Sequence, residues 1–205
     1  MKILHFHGLG DGVEGPQVQS LKDVFGDQNV DCPDMNPFIQ TYATDSILNK
    51  TKMKKKLEKC IDSCVSVQSR RIEEFQPHVI VACSWGGVIA VECVLRGIWN
   101  GPLILISCAF RHACNVKGLT NDEISELETS FAKNMRSPTV IIHGSEDRII
   151  PIGHSTSLEI SLRRNTKPVK CYVCQGKPHV ISRYLVHETN LLVLFIIGLS
   201  IGLYE

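Results

Sequence analysis

The sequence predicts a doubly wound α/β domain, a mainly parallel sheet of about six strands with helices on both faces. Two observations predict it. Short apolar runs alternate with helical stretches along the whole chain, which implies crossover connections between parallel strands. The run at His78–Cys83 (HVIVAC) is continuously apolar rather than alternating, as in a strand covered on both sides. The length of 205 residues suits a single domain, 1–205, large enough to bury a core without metals or cross-links.

Taken in order, Lys2–Phe6 reads as a strand that stops at a glycine-rich loop, HGLGDGVEGP. Gln17–Phe25 reads as a short helix, and a second strand lies near Asn29–Cys32, ended by Pro33. From about Asp45 to Phe75 the residues Ile47, Leu48, Leu57, Ile61, Cys64, Val65, Ile72 and Phe75 recur at three- and four-residue intervals, an amphipathic helix whose lysine-rich part, Lys50–Lys59, is a solvated face. His78–Cys83 is the next strand and Trp85 to about Arg96 the helix after it. Leu103–Ser107 and Thr139–His143 are further strands, the latter introduced by Pro138. His154–Arg163 is a helix, Val169–Cys174 a last strand, and a final helix runs from about Ser182. The insert Phe110–Ser137 is too short for a large lid but suits a helical flap over Asp122–Lys133, so little or no cap is expected.

Composition excludes several classes. With 43% hydrophobic and 21% charged residues the chain is neither disordered nor a disulfide mini-protein. A net charge of +1 gives no long-range pull toward nucleic acid or anionic membrane, so neither is an expected partner. Nine cysteines, an odd number, and an N-terminus without the apolar core of a signal peptide point to a reducing, cytoplasmic setting. Cys171 and Cys174 lie three apart on a strand and so face opposite ways, which disfavours redox pairing or joint metal ligation; no metal or cofactor is expected. Leu191–Leu203 (LLVLFIIGLSIGL) has no charge but is shorter than the ~20 residues that span a bilayer. It is expected to be a buried C-terminal helix, with membrane contact or a dimer face as the other readings.

The chemistry centres on Val81-Ala82-Cys83-Ser84-Trp85-Gly86-Gly87, where a buried strand turns into a helix. A serine at such a turn exposes its hydroxyl above the sheet, and the turn needs small residues two before and two after it. Ala82 and Gly86 meet that need for Ser84, whereas Val81 and Trp85 would not meet it for Cys83, which is expected to be a packed thiol. Serine needs a histidine base oriented by a carboxylate, in the chain order Ser, Asp or Glu, His on this architecture. GSEDRIIP follows the strand TVIIH and places Asp147, with Glu146 as its alternative. QGKPH follows the strand VKCYVC and places His179, while His187 falls within the expected final helix. An oxyanion needs two fixed donors. The backbone N–H of Trp85 is one; the other comes from the loop His7-Gly8-Leu9-Gly10, with Leu9 first and Gly8 second. His7 and Asp11 are expected to structure that loop.

On these residues the chain resembles an α/β-hydrolase over nearly its whole length. HGLGDG is similar to the opening motif of acyl-protein thioesterases and small carboxylesterases, and MKILHFHGLG with CPDMNP to compact bacterial esterases. SPTVIIHGSEDRIIP, with Ser155 beyond it, and GKPHVIS resemble FSH-type serine hydrolases. The resemblance implies hydrolysis of a small or lipid-derived acyl ester or thioester through an acyl-enzyme, without cofactor. In it Ser84 attacks, His179 carries the proton and Asp147 holds the imidazole. Two departures stand out: Lys177-Pro178 precedes His179 where these families are glycine-rich, and Trp85 follows the serine where Gln, Leu or Met is usual. A non-catalytic binding or scaffold protein on the same fold, and a serine peptidase, are the competing readings. Oligomeric state is not encoded in any pattern found.

Overall fold

A computed structural model describes residues 1–36 and 50–179, together with Val193 and Gly198. Within them run β1 (Ile3–Phe6), α1 (Pro16–Phe25), β2 (Val30–Asp31), α2 (Lys50–Phe75), β3 (Val79–Cys83), α3 (Trp85–Leu95), β4 (Leu103–Ile106), α4 (Phe110–Val116), α5 (Asn121–Asn134), β5 (Thr139–Gly144), α6 (Ile152–Arg164) and β6 (Val169–Cys174). The strands form a six-stranded sheet in the order β2-β1-β3-β4-β5-β6. Among the described residues every neighbouring pair is parallel, so the expected mainly parallel sheet is wholly so there.

Strand periodicity decides which side chains enter which core. Leu4, Phe6, Ile80, Ala82, Leu103, Leu105 and Ile141 face one way, into a large cluster with α2, α3, α5 and α6. Their neighbours Ile3, Val79, Val81, Ile104, Ile106, Val140 and Ile142 face the other, into a smaller cluster with Val18 and Leu21 of α1. The same alternation separates the two cysteines of β6: Cys171 packs against the first cluster and Cys174 against the second. Val193 is fully buried in the second cluster. The rest of Leu191–Leu203, the final helix expected from Ser182, His187 and the expected helix start at Asp45–Asn49 lie outside the described residues.

Helix character follows from sequence pattern. α3 (WGGVIAVECVL) is apolar on all sides and is buried along nearly its whole length, as an all-round hydrophobic helix must be. In α2 only one stripe is buried, including Leu57, Ile61, Cys64, Val65, Ile72 and Phe75. Among the described residues no helix is long and apolar enough to cross a membrane.

One expectation is corrected. The Asp122–Lys133 stretch is not a flap: α5 buries Ile124, Phe131 and Ala132 completely in the main cluster. It is also anchored by charge. Arg111 of α4 donates to both carboxylate oxygens of Glu128 (2.9 and 3.0 Å) and to Ser157 Oγ of α6 (2.8 Å). Glu128 is 1% exposed, and removing one partner of so buried a pair costs about 3–5 kcal/mol. The short helix α4 was not legible in the sequence, because seven residues show too little periodicity.

The order of the strands places the site. From β1 the chain moves outward to β2, then returns to the far side of β1 for β3 and continues to β6. Beyond the carboxyl ends of β1 and β3 the direction of winding reverses, leaving the crevice in which ligands of open α/β sheets bind.

Candidate active site

Ser84 stands at that crevice, between β3 and α3, with φ 49° and ψ −110°. This is a left-handed conformation that a side-chain-bearing residue adopts only when its surroundings enforce it. They do so through the backbone: Ser84 N–H donates to Ile106 O (2.8 Å), and Ser84 O accepts from Gly87 N–H (3.0 Å) and Ala109 N–H (3.1 Å). The demand for small neighbours is met as expected. A Cβ at Gly86 would overlap the Phe6 carbonyl oxygen, and Ala82 is fully buried. Cys83 is the packed thiol predicted. Its Sγ donates to Gln17 Oε1 (2.7 Å), and burial pushes its pKa well up, away from a reactive thiolate.

The three residues singled out by chain order meet in one hydrogen-bonded line. Ser84 Oγ lies 2.9 Å from His179 Nε2, and His179 Nδ1 lies 2.7 Å from Asp147 Oδ2. The Asp147 side chain is fully buried, and that of His179 is 14% exposed. Burial alone would push the Asp147 carboxyl up. The Ile150 and Ile149 N–H groups and His179 together outweigh it and hold the pKa below the ordinary value. Its Oδ1 accepts from Ile149 N–H (2.9 Å) and Ile150 N–H (2.8 Å). A carboxylate only accepts, so His179 carries its proton on Nδ1 and Nε2 is left to accept from Ser84. Glu146 is exposed and uses its backbone N–H on Lys177 O (3.0 Å), so the alternative acid does not reach the imidazole.

Two features of the site lie outside the sequence expectations. His143, the last side chain of TVIIH, is fully buried behind Asp147. Its Nε2 faces the Ile150 carbonyl (2.9 Å), so Nε2 holds the proton and Nδ1 accepts from Ser155 Oγ (2.8 Å). Asp147 Oδ2 lies 3.3 Å from the same Nε2. Burial keeps the His143 pKa below its ordinary value. A histidine ending a buried strand, four residues before the acid, was the available signal. The second feature is a brace between the acid and histidine loops. Ser145 N–H donates to Cys174 O (3.0 Å), and Ser145 Oγ accepts from Gly176 N–H (2.9 Å). The Lys177-Pro178 departure falls inside this brace.

In the loop after β1, Gly8 lies close to Ser84: a Cβ there would sit 3.4 Å from Ser84 Cβ. His7 is fully buried and structures the loop as expected, donating from Nδ1 to Gly8 O (2.9 Å) and accepting at Nε2 from Met35 N–H (2.9 Å). Leu9 and Trp85 both line the space around Ser84. Among the described residues no group of three or more His, Cys, Asp or Glu is placed to hold a metal ion.

Solved structures match this architecture over nearly all of the chain. Esterase PE8 matches 95% of this chain and 91% of its own at a TM-score of 0.67 and 18% identity. The alpha/beta hydrolase enzyme MGS-MChE2, from the metagenome of lagoon sediments at Mar Chica, Morocco, matches 94% and 88% at 0.56 and 18%. The fold is that of the α/β-hydrolases. SOBER1 from Arabidopsis thaliana matches 92% of this chain and 95% of its own at 0.58 and 16% identity. No protein-family model matches the sequence, and no curated protein matches it. At these identities the α/β-hydrolase likeness speaks for the fold, while the chemistry rests on the side chains themselves.

Proposed function

We propose that the protein is a serine hydrolase that cleaves a carboxylic ester or thioester through an acyl-enzyme. The observation that carries this reading is the unbroken line from Ser84 Oγ through His179 to the buried Asp147 carboxylate, 2.9 and 2.7 Å. Ser84 Oγ attacks the acyl carbon while His179 Nε2 takes its proton, and Asp147 holds the imidazole in the tautomer that can accept it. The backbone N–H groups of Leu9 and Trp85 receive the oxyanion; one such donor is worth about 2.7–4 kcal/mol in known cases. When the tetrahedral intermediate collapses, the bond to the leaving group breaks and His179 returns the proton to the departing oxygen or sulfur. Water then attacks the acyl-enzyme, giving its proton to His179. The acid leaves and the proton returns to Ser84 Oγ.

The test is labelling with a fluorophosphonate, mapped by mass spectrometry, on the wild type and Ser84→Ala. The expected result is an adduct on Ser84, absent from the variant, with ester hydrolysis falling by at least about 10⁴-fold. A folded wild type that takes no label and hydrolyses no ester overturns the proposal and leaves a binding role on this fold.

A further inference from the structure

Two chambers of nearly equal size meet at Ser84. One, about 230 Å³, is lined by Gly8, Gly10, Asp11, Ser107 and His179 as well as Ser84. The other, about 220 Å³ and mainly apolar, is lined by Leu57, Trp85, Ala109, His112, Ala113 and Val116 with Ser84. Leu9 and Ile149, like Ser84, line both. Among the described residues His179 borders the first chamber and not the second, and no lysine or arginine lines either.

We infer that the apolar chamber binds an uncharged aliphatic acyl chain of about six to eight carbons, and the polar chamber a neutral or cationic leaving group. This rests on the reaction proposed above, because the direction follows from proton delivery. The atom that leaves must take a proton from His179 Nε2, so the leaving group lies on the side that His179 borders. The acyl chain is then directed the opposite way, over the indole of Trp85. A methylene fills about the volume of a water in the liquid, about 30 Å³, so the chamber holds about seven such groups. Its wall is fixed, because Arg111 ties α4 to Glu128 of α5 and Ser157 of α6. Carbons beyond that length pass Val116, itself 36% exposed, and gain no further burial. In the other chamber the Asp11 carboxylate repels an anionic leaving group, and among the described residues no lysine or arginine lines it to offset that charge.

Two matched substrate series test the inference, with Ser84 labelling measured on the same preparations. For p-nitrophenyl esters kcat/KM is expected to rise about fourfold per methylene from acetyl to hexanoyl and to stop rising by octanoyl. A rise that continues through dodecanoyl to hexadecanoyl, or a maximum at acetyl, overturns it. Ala113→Leu, with Val116→Phe as a rim variant should the first not fold, is expected to lower the hexanoyl-to-acetyl ratio at least tenfold. An unchanged ratio in a folded variant overturns the chamber assignment. For thioesters, hexanoyl N-acetylcysteamine is expected to exceed hexanoyl coenzyme A at least tenfold in kcat/KM, and Asp11→Asn to narrow that ratio. Parity, or preference for coenzyme A, overturns the leaving-group assignment. Labelled protein with the wrong substrate order refutes only the orientation, whereas unlabelled protein refutes the reaction on which it rests.

Discussion

Asp147 uses its two carboxylate oxygens for different tasks. Oδ1 is held by two backbone N–H groups of its own loop, at 2.9 and 2.8 Å, while Oδ2 faces two histidines. His179 Nδ1 makes the short contact at 2.7 Å, and the His143 Nε2 proton is shared between Ile150 O at 2.9 Å and Oδ2 at 3.3 Å. In the proposed reaction His143 is therefore a positioning residue, one bond removed from the imidazole that would move the proton. Its shared, long contact is weaker than the 1.5–3 kcal/mol of a full hydrogen bond to a charge. His143→Phe is expected to lower kcat about tenfold with KM nearly unchanged, and His143→Gln, which can present an N–H in the same place, to restore part of it. Steady-state kinetics on a short-chain ester check this. Equal losses in kcat for both variants, or a change confined to KM, would refute the positioning role.

At the scale of elements, the site depends on how the loops after β5 and β6 are pressed together. Gly144 closes β5 where a Cβ would overlap the Lys177 carbonyl oxygen and lie 2.8 Å from that of Pro178. Glycine is required there by crowding, not by a special backbone angle. Pro178 stiffens the same loop, so the strain of any intrusion is passed to His179 rather than absorbed. Gly144→Ala is expected to cost about 1–3 kcal/mol of stability, as overpacking does, and to lower activity by separating His179 from Asp147. Gly153, in α6, has nothing within 4 Å of its would-be Cβ. Gly153→Ala is expected to be neutral or to stabilise by about 0.5 kcal/mol. Urea denaturation of the pair, read beside ester hydrolysis, distinguishes a crowded glycine from a free one. Equal behaviour of the two variants would contradict the brace.

For the whole molecule, buried neutral histidines make stability depend on pH. His5 of β1 is 3% exposed, and burial, with His7 adding to it, lowers its pKa from an ordinary 6.5 to about 3. His143 is shifted in the same direction, again by burial first. Below pH 6.5 the unfolded chain binds protons that the folded chain refuses, so stability is full above that pH. It is lost as pH falls from 6.5 toward the folded value. Asp147, held below its ordinary value, acts in the same direction only in the acid carboxylate range. A histidine shifted as far as His5 contributes a slope approaching about 1.4 kcal/mol per pH unit below 6.5, so urea unfolding at pH 5.5 is expected to show at least about 1 kcal/mol less stability than at pH 7. His5→Leu is expected to flatten that slope, and a variant with the wild-type slope would show that His5 does not carry it.

The alternation of apolar runs with helices specified the parallel sheet, because a strand buried on both faces and its crossover helix each leave a local hydrophobic pattern. The order Ser84, Asp147, His179 was legible because each follows a strand, and strand ends converge once the sheet is parallel. Sequence could also separate Ser84 from Cys83, since crowding two residues to either side of the turn is a local matter. What it could not reach is the particular contacts by which residues distant in the chain fix one another. Glu146 and Asp147 are adjacent in sequence, and only the Ile149 and Ile150 N–H groups and the Lys177 carbonyl decide which carboxylate turns inward. α5 reads as a solvent-facing flap until α3 and α6 are seen to bury Phe131. The division of the space at Ser84 into an apolar and a polar chamber is likewise tertiary, because it is set by side chains from six separate stretches of the chain meeting across the crevice.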